Sequence, residues 1–109
     1  MKRTKRARLE AKGWRVGSTA DFLELTAEET ALVETRLALS LTLRERRASQ
    51  HMTQAELARR LRSSQSRVAK MEAGDKSVSV DLILRALFSL GAKPRDVGRA
   101  LQRPRDAAA

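Results

Sequence analysis

Two short helical segments, separated by a few polar residues, constrain the fold of this chain most. They lie in the stretch TQAELARRLRSSQSRVAKMEAG, residues 53–74. Thr53 and Glu56 have the spacing of a capping box, and Ser64 is placed as a second N-cap. Gly74 is placed as the residue that follows a helix end. Apolar residues recur at helical spacing in both segments, at Leu57, Ala58, Leu61, Val68 and Met71. The pattern predicts two short helices that cross at a tight turn, a helix-turn-helix motif.

Three further helices are predicted around this pair. A capping box at Thr26 starts a long helix that ends near Gln50. Another covers about Val80 to Leu90, and a last short one starts at Pro94 and continues through Leu101. No strand-length alternation of apolar and polar residues is present, so the fold class is all-α with about five helices.

The long first helix has two apolar stripes. At 100° per residue, Leu32, Leu39 and Leu43 share one side, and Val33, Leu37 and Leu41 lie roughly opposite. A helix that is apolar on two faces is expected to be buried on both. One face would pack in the domain core, and the other would meet the segment between Trp14 and Leu25 or a second chain.

The net charge and the apolar content of the chain indicate what kind of partner it binds and where it is expected to be located. The net charge is +10 in 109 residues, which indicates a polyanionic partner, either nucleic acid or an acidic membrane surface. The alternative is a charged surface that only keeps the protein soluble. No apolar run is long enough for a transmembrane helix and no secretory signal is evident, so a cytoplasmic protein is expected.

The sequence contains few of the residues that catalytic sites and metal sites require. The chain has no cysteine and one histidine, His51, so neither a thiolate nor a histidine metal site is expected. No Ser/His/Asp arrangement and no glycine-rich phosphate loop is present, and the chain is predicted to be neither an enzyme nor a cofactor binder.

The chain is predicted to have four parts. Residues 1–12 form a flexible basic arm, which either lies on DNA or is a solvated tail. Residues 13–31 form an accessory packing segment, residues 32–103 the helix-turn-helix domain, and residues 104–109 a frayed tail. The accessory segment either covers the first helix or binds a partner protein, and the candidate partner-binding residues are Trp14, Val16, Phe22 and Leu23.

The outward face of the second helix in the motif is suited to DNA. Gln65, Ser66 and Lys70 lie on that face, and their side chains match the hydrogen-bonding groups on base edges. We therefore predict base contacts for these three residues, although they are also ordinary polar residues for a helix start. Phosphate contacts are predicted for Thr53, Arg67, Lys76, Arg44 and Arg47. For Arg44, Arg47 and Lys76 the alternative is a solvated surface, and for Arg67 it is charge balance.

The stretch from Thr53 to Ser79 resembles the XRE family, the helix-turn-helix proteins related to Cro and the phage repressors. "TQAELA" followed by S-x-S-x-V-x-K-M-E-x-G carries the resemblance, which extends over about residues 39–90. It implies a lambda-repressor-like domain of five helices with an N-terminal extension. Gln54 then matches a family glutamine that binds a phosphate and braces the first recognition-helix glutamine. Gln65, Ser66 and Lys70 match base-facing positions, and Glu72 matches an acidic residue that is usually structural.

Two residues depart from the family pattern. His51, before the second helix, and Arg62, after it, stand where the family often has glycine. A positive φ is expected at both positions, and it is unfavourable for a residue with a side chain.

Three functions fit these sequence features. The first is a transcriptional regulator, expected to be a repressor, that acts as a homodimer on a palindromic operator in double-stranded DNA. The second, by resemblance to HigA-like antitoxins, is a protein that binds a RelE/HigB-like toxin and represses its own operon. The third is binding of RNA or of nucleic acid without sequence preference, against which the scarcity of aromatic side chains counts.

Overall fold

The computed structural model describes residues 26–103, which contain five helices and no strand. The helices are α1 (Ala27–Ser49), α2 (Gln54–Leu61), α3 (Gln65–Ala73), α4 (Val80–Ser89) and α5 (Pro94–Gln102). The predicted all-α fold class and the helix boundaries are confirmed to within about a residue. The predicted basic arm, most of the accessory segment and the tail lie outside the described residues, so those assignments stay predictions.

The chain divides into two compact units, residues 1–34 and 35–109, with the boundary inside α1. In the first unit, Thr26 caps the start of α1. Its backbone N–H donates to Glu29 Oε1 at 2.8 Å, and its hydroxyl accepts from the Glu29 N–H at 3.1 Å. These hydrogen bonds lower the pKa of the Glu29 carboxyl, and they confirm the predicted capping box.

The second unit is built around a core of aliphatic side chains. Every helix from α1 to α4 supplies completely or almost completely buried residues, which include Leu39, Leu43, Leu57, Val68, Met71, Ile83 and Leu87. Leucine, isoleucine, valine and methionine fill the space, as a chain with 3% aromatic residues requires.

The prediction that α1 is buried on two faces was wrong for two of its leucines. Leu32 is 49% exposed and Leu37 is 44% exposed, whereas Val33 and Leu41 are partly buried. Periodicity identifies a face of a helix, but burial also requires a neighbouring element at that height along its axis.

Side chains from other helices stabilise the end of α4 and hold α5. The Leu90 carbonyl accepts hydrogen bonds from Gln50 Nε2 at 2.8 Å and from Arg46 Nη1 at 3.5 Å. Arg46 also pairs with Asp96 in the first turn of α5, at 3.7 Å, and Glu45 pairs with Arg103 at 2.8 Å. The hydrogen bond from Arg103 lowers the pKa of the Glu45 carboxyl. Two consecutive residues of α1 thus fix both ends of α5.

Ser40 is a buried hydroxyl without a hydrogen-bond partner. It is 2% exposed, and its Oγ atom is among the buried polar atoms that make no hydrogen bond. Thr42, by contrast, donates to the Ala38 carbonyl one turn earlier, at 2.9 Å. A desolvated hydroxyl that bonds to nothing reduces stability.

Ser40→Ala is therefore expected to raise the free energy of unfolding by about 1 kcal/mol, because it removes the unpaired hydroxyl and adds a better helix former. Chemical denaturation monitored by circular dichroism measures the change. Ser49→Ala is the control, since the exposed Ser49 hydroxyl donates to Arg46 O at 2.8 Å. A loss of stability in Ser40→Ala would show that its hydroxyl is hydrogen-bonded in solution.

Two non-glycine residues have a positive φ, as expected from the sequence. The φ angles are 57° at His51 and 56° at Arg62. Arg62 is the C-cap of α2, and its N–H bonds to the Ala58 and Arg59 carbonyls. Gly74 has the same role at the end of α3, with a φ of 70°. A Cβ atom at Gly74 would also lie 2.7 Å from Leu37 Cδ2.

Substitutions at these two C-caps are expected to change the free energy of unfolding in opposite directions. Arg62→Gly should raise the free energy of unfolding by about 0.5 kcal/mol, since glycine avoids the left-handed strain but loses more entropy on folding. Gly74→Ala should lower it by about 1–2 kcal/mol, since it adds both the strain and the contact with Leu37. Urea denaturation of both variants measures the two changes. If both variants gain stability, or both lose it, backbone strain at positive φ does not decide the effect.

Candidate DNA interface

The helix-turn-helix consists of α2, the turn at residues 62–64, and α3. Thr53 caps α2: its N–H donates to Glu56 Oε1 at 2.8 Å, and its hydroxyl accepts from the Glu56 N–H at 3.0 Å. Ser64 caps α3, because its Oγ accepts from the Arg67 N–H at 3.1 Å. Ser63 N–H donates to the Ala58 carbonyl at 2.8 Å and closes the turn. Short-range hydrogen bonds thus fix where each helix begins and ends.

Burial separates the two sides of α3. Val68 and Met71 are completely buried, and Leu57 and Ala58 of α2 are buried as well. The opposite side of α3 carries the exposed residues Ser66 and Lys70, with Arg67 beside them, and Gln65 is exposed at the start of the helix. All three predicted base-contact residues are therefore exposed, two on the outward side of α3 and one in its first turn.

A shallow cleft of about 320 Å³ adjoins this face. Ser66, Arg67 and Lys70 of α3 line it together with Ser64, Ser77 and Val78. Two cations and three hydroxyls next to the N-terminal turn of α3 give the cleft a surface suited to negatively charged groups.

Glu72 is the buried polar centre of the domain. It lies on α3 with its side chain 3% exposed, and it accepts from Arg47 Nε and, at 3.0 Å, from Arg47 Nη2. Gln54 Nε2 of α2 donates to Glu72 Oε1, also at 3.0 Å. One carboxylate therefore joins α1, α2 and α3, which agrees with the structural role that the resemblance implies for this position.

Arg47 has more partners within the protein than the sequence indicated. Besides Glu72, it donates through Nη1 to the Met52 carbonyl, at 2.6 Å, at the bend before α2. The hydrogen bond to Glu72 raises the pKa of the Arg47 guanidinium. The predicted phosphate contact of Arg47 stays a prediction, but its evident role in the structure is to hold α3 and the bend against α1. The sequence near Arg47 did not indicate this role, because its partner Glu72 is 25 residues away on α3.

The other predicted phosphate contacts lie at the start of α2, in the turn after α3 and on α1. Gln54 is partly buried, and its amide nitrogen has a second N–H besides the one that it donates to Glu72. The Thr53 hydroxyl accepts from the Glu56 N–H and keeps its own proton to donate. Lys76 is exposed in the turn after α3, where Asp75 Oδ1 accepts from the Ser77 N–H at 2.8 Å. Hydrogen bonds from the Ser77 side chain and from this backbone N–H lower the pKa of the Asp75 carboxyl. Arg44 is exposed on α1.

Among the described residues, no three His, Cys, Asp or Glu side chains are grouped so that they could hold a metal ion. No helix in residues 26–103 has the length and hydrophobicity that crossing a bilayer requires.

An α2 that packs Leu57 and Ala58 into the core beneath an α3 with an exposed polar first turn is typical of helix-turn-helix DNA-binding domains. The comparison with protein families agrees: residues 43–91 match the family described as Helix-turn-helix. The matched segment contains the stretch that resembles the XRE type of helix-turn-helix, and the match supports a DNA-binding regulator of that type. It runs from within α1 to just past α4, and the five-helix order is consistent with the lambda-repressor-like fold predicted from the sequence. The searches of curated proteins and of solved structures returned no match.

Proposed function

We propose that this protein is a sequence-specific transcriptional repressor that binds as a homodimer to a palindromic operator. The observation that carries the proposal is the exposed face of α3. Ser66 and Lys70 lie on its outward side and Gln65 in its first turn, and the apolar residues Val68 and Met71 of α3 are buried. Glutamine can form two hydrogen bonds with adenine, and lysine can donate to guanine, so the face is able to distinguish base pairs in a major groove.

The surrounding residues would set the position of α3 on the duplex. Thr53 and Gln54 at the start of α2 and Lys76 after α3 have donors left for phosphate oxygens on both sides of the exposed face. Phosphate contacts orient a protein on DNA but carry no sequence information. The proposal thus assigns affinity mainly to these donors and to the net charge of +10, and specificity to α3.

A homodimer is proposed because one domain of this size supplies few base contacts. Two copies related by a two-fold axis would read two half-sites about 34 Å apart. Two surfaces are candidates for the dimer contact: α4 with α5, between Leu82 and Leu101, and the α1 stripe of Val33, Leu37 and Leu41. In the described residues the first surface exposes Phe88 at 44% and Leu101 at 42%, and the second exposes Leu37 at 44%. The first surface therefore offers two large exposed apolar side chains and the second offers one.

Fluorescence anisotropy with the DNA upstream of the protein's own gene tests the proposal. A scrambled duplex of equal length is measured in parallel over a salt series. A repressor of this kind should prefer its operator by about a thousandfold or more, whereas both duplexes should show a steep loss of affinity with salt. Equal affinity for the two duplexes at every salt concentration would favour non-specific nucleic-acid binding instead.

The antitoxin hypothesis is the alternative, and it requires a surface for a protein partner apart from the DNA interface. Leu37, 44% exposed on α1, is the described feature that supports such a surface. The candidate partner residues Trp14, Val16, Phe22 and Leu23 lie outside the described residues. Co-expression with a RelE-type toxin encoded beside the gene tests this hypothesis. Copurification that is lost in Trp14→Ala and Leu23→Ala would support it, and retention of the toxin by both variants would contradict it for this segment.

A further inference from the structure

The outward side of α5 is a basic surface that the proposed DNA interface does not include. Ala100 of α5 is buried and Val97 is partly buried, so this helix packs on the core through the side that carries them. The opposite side carries Arg95, Arg99 and Gln102, which are all exposed. These three residues follow one another at intervals of four and three, and together they form the α5 face, a continuous surface over two turns of the helix.

Positive charge is more concentrated along α5 than along the proposed recognition helix. Residues 93–103 contain four basic residues and one acid. The helix α3 with the turn after it, residues 65–76, contains three basic residues and two acids. The charge that indicates a polyanionic partner therefore does not lie mainly on the face that is proposed to read bases.

The one acid of the α5 segment, Asp96, does not neutralise the α5 face. Its carboxylate accepts from the Lys93 N–H at 2.8 Å and pairs with Arg46 of α1 at 3.7 Å. Arg99 lies at the same distance from Asp96, but its side chain is 74% exposed, and an ion pair in water contributes little. No ion pair among the described residues includes Arg95. Two guanidinium groups one turn apart are therefore able to bind an outside partner.

Gly98 adjoins the α5 face, and it leaves the helix backbone uncovered there. It comes three residues after Arg95, directly before Arg99 and four residues before Gln102. A Cβ atom at Gly98 would have no neighbour within 4 Å, so packing in the described part of the chain does not require a glycine. Glycine inside a helix is less favourable than alanine. What it provides is room for a broad partner to approach the backbone of α5 closely.

We propose that the α5 face binds the phosphate backbone of a second DNA duplex while α3 holds the operator, so that the protein bridges two segments of DNA. This inference rests on the DNA binding of the proposed function. A duplex has one phosphate per about 1.7 Å of its axis, a denser row of negative charge than an acidic peptide extended at about 3.3 Å per residue. A guanidinium group binds a phosphate with two parallel hydrogen bonds, so the two arginines suit two phosphates.

The α5 face and the proposed base contacts point in different directions. Glu72 joins α3 to Arg47 of α1, and Ser66 lies on the opposite side of α3. The end of α5 is joined to α1 through Glu45, which lies about 160° around α1 from Arg47. A duplex on α3 therefore leaves the α5 face accessible. Leu101, in a candidate dimer surface, lies about 100° or more around α5 from each residue of the α5 face, so the two surfaces differ.

A capture experiment tests the bridge. The duplex from upstream of the protein's own gene is immobilised and saturated with protein, unbound protein is washed away, and a fluorescent scrambled duplex is added over a salt series. Arg95→Gln/Arg99→Gln should raise the half-saturating concentration of the scrambled duplex by about tenfold or more. It should also lower the slope of log affinity against log salt by about two, because two phosphate contacts are lost. Its affinity for the immobilised duplex should stay near that of the natural chain.

Arg59→Gln/Arg85→Gln is the matched control, since it removes two exposed arginines from α2 and α4 and changes the net charge equally. Gly98→Gln covers the open backbone without changing the charge, and it should also weaken capture although glutamine favours the helix. Circular dichroism checks that each variant is folded. If the α5 double variant is not, each of its two single variants should lower the salt slope by about one.

The inference is overturned if the natural chain captures no scrambled duplex, or if the two double variants weaken capture equally. Unchanged capture by Gly98→Gln would contradict the close approach to α5. If the α5 double variant weakens binding of the immobilised duplex as much as it weakens capture, the α5 face contacts the flanks of that same duplex instead. Displacement by polyglutamate, at a charge concentration at which unlabelled duplex displaces nothing, would assign the face to an acidic protein.

Failure of the proposed repressor function would have a different signature. The natural chain would then bind the upstream and the scrambled duplexes equally in the anisotropy titrations, whatever the result of the capture experiment.

Discussion

Replacing Glu72 with alanine is expected to lower the free energy of unfolding by about 3 kcal/mol. The Glu72 carboxylate, 3% exposed, accepts from Arg47 on α1 and from Gln54 on α2. Its removal leaves the guanidinium of Arg47, whose side chain is 16% exposed, without its counter-charge in a largely dry site. It also leaves one N–H of Gln54 without a partner. The loss should appear as a lower urea midpoint at an unchanged m-value.

A double variant distinguishes the contribution of the ion pair to stability from that of the volume its side chains fill. Arg47→Met/Glu72→Met keeps much of the side-chain volume and buries no charge. It should lose clearly less stability than Glu72→Ala, because an unpaired buried charge is worse than an apolar contact. If Glu72→Ala costs less than about 1 kcal/mol, Arg47 finds water or another partner, and the carboxylate is not the centre that joins the three helices.

The Glu72 network also connects folding with the proposed DNA interface. Gln54 reaches Glu72 from the first position of α2, and Glu72 lies two helical turns after Gln65 on α3, on the side opposite Ser66 and Lys70. Arg47 is the next residue after Arg46, which binds the end of α4 and the start of α5. A single turn of α1 therefore holds the recognition helix on one side and the elements proposed for dimerisation on the other.

Local signals in the sequence were sufficient to predict α2, α3 and α4. Thr53, Ser64 and Gly74 bind atoms within a few residues of themselves, so their roles can be read from spacing. The positive φ at His51 and Arg62 was also anticipated, because the family resemblance marked both positions as glycine sites. The outward position of Gln65, Ser66 and Lys70 followed from helical periodicity and the buried positions of Val68 and Met71.

Features that depend on how distant segments approach one another were missed. The sequence placed Arg47 among the phosphate contacts, since nothing local shows that Glu72, 25 residues later, lies beside it. The exposure of Leu37 and the unpaired hydroxyl of Ser40 likewise depend on what surrounds α1 at each height. Periodicity distinguishes an apolar side chain from a polar one, but it does not report which neighbour, if any, reaches it.

Gln65→Ala and Lys76→Ala are expected to weaken operator binding in different ways. Gln65 is exposed in the first turn of α3, where a glutamine that forms two hydrogen bonds with a base would contribute about 1–3 kcal/mol of discrimination. Its loss should therefore reduce affinity for the operator by roughly 5- to 150-fold but leave affinity for a scrambled duplex nearly unchanged. The salt dependence of binding should stay the same, because no charge is removed.

Lys76→Ala provides the matched comparison, since Lys76 is exposed in the turn directly after α3 and is proposed to contact phosphate. It should weaken binding to operator and scrambled duplex by similar factors and reduce the slope of log affinity against log salt by about one. Anisotropy titrations of both variants on both duplexes provide the four measurements needed. If Gln65→Ala weakens the two duplexes equally and lowers the salt slope, Gln65 does not read a base. Specificity would then have to come from Ser66 and Lys70 or from the shape of the DNA. If Lys76→Ala instead removes the preference for the operator, the turn after α3 takes part in base recognition.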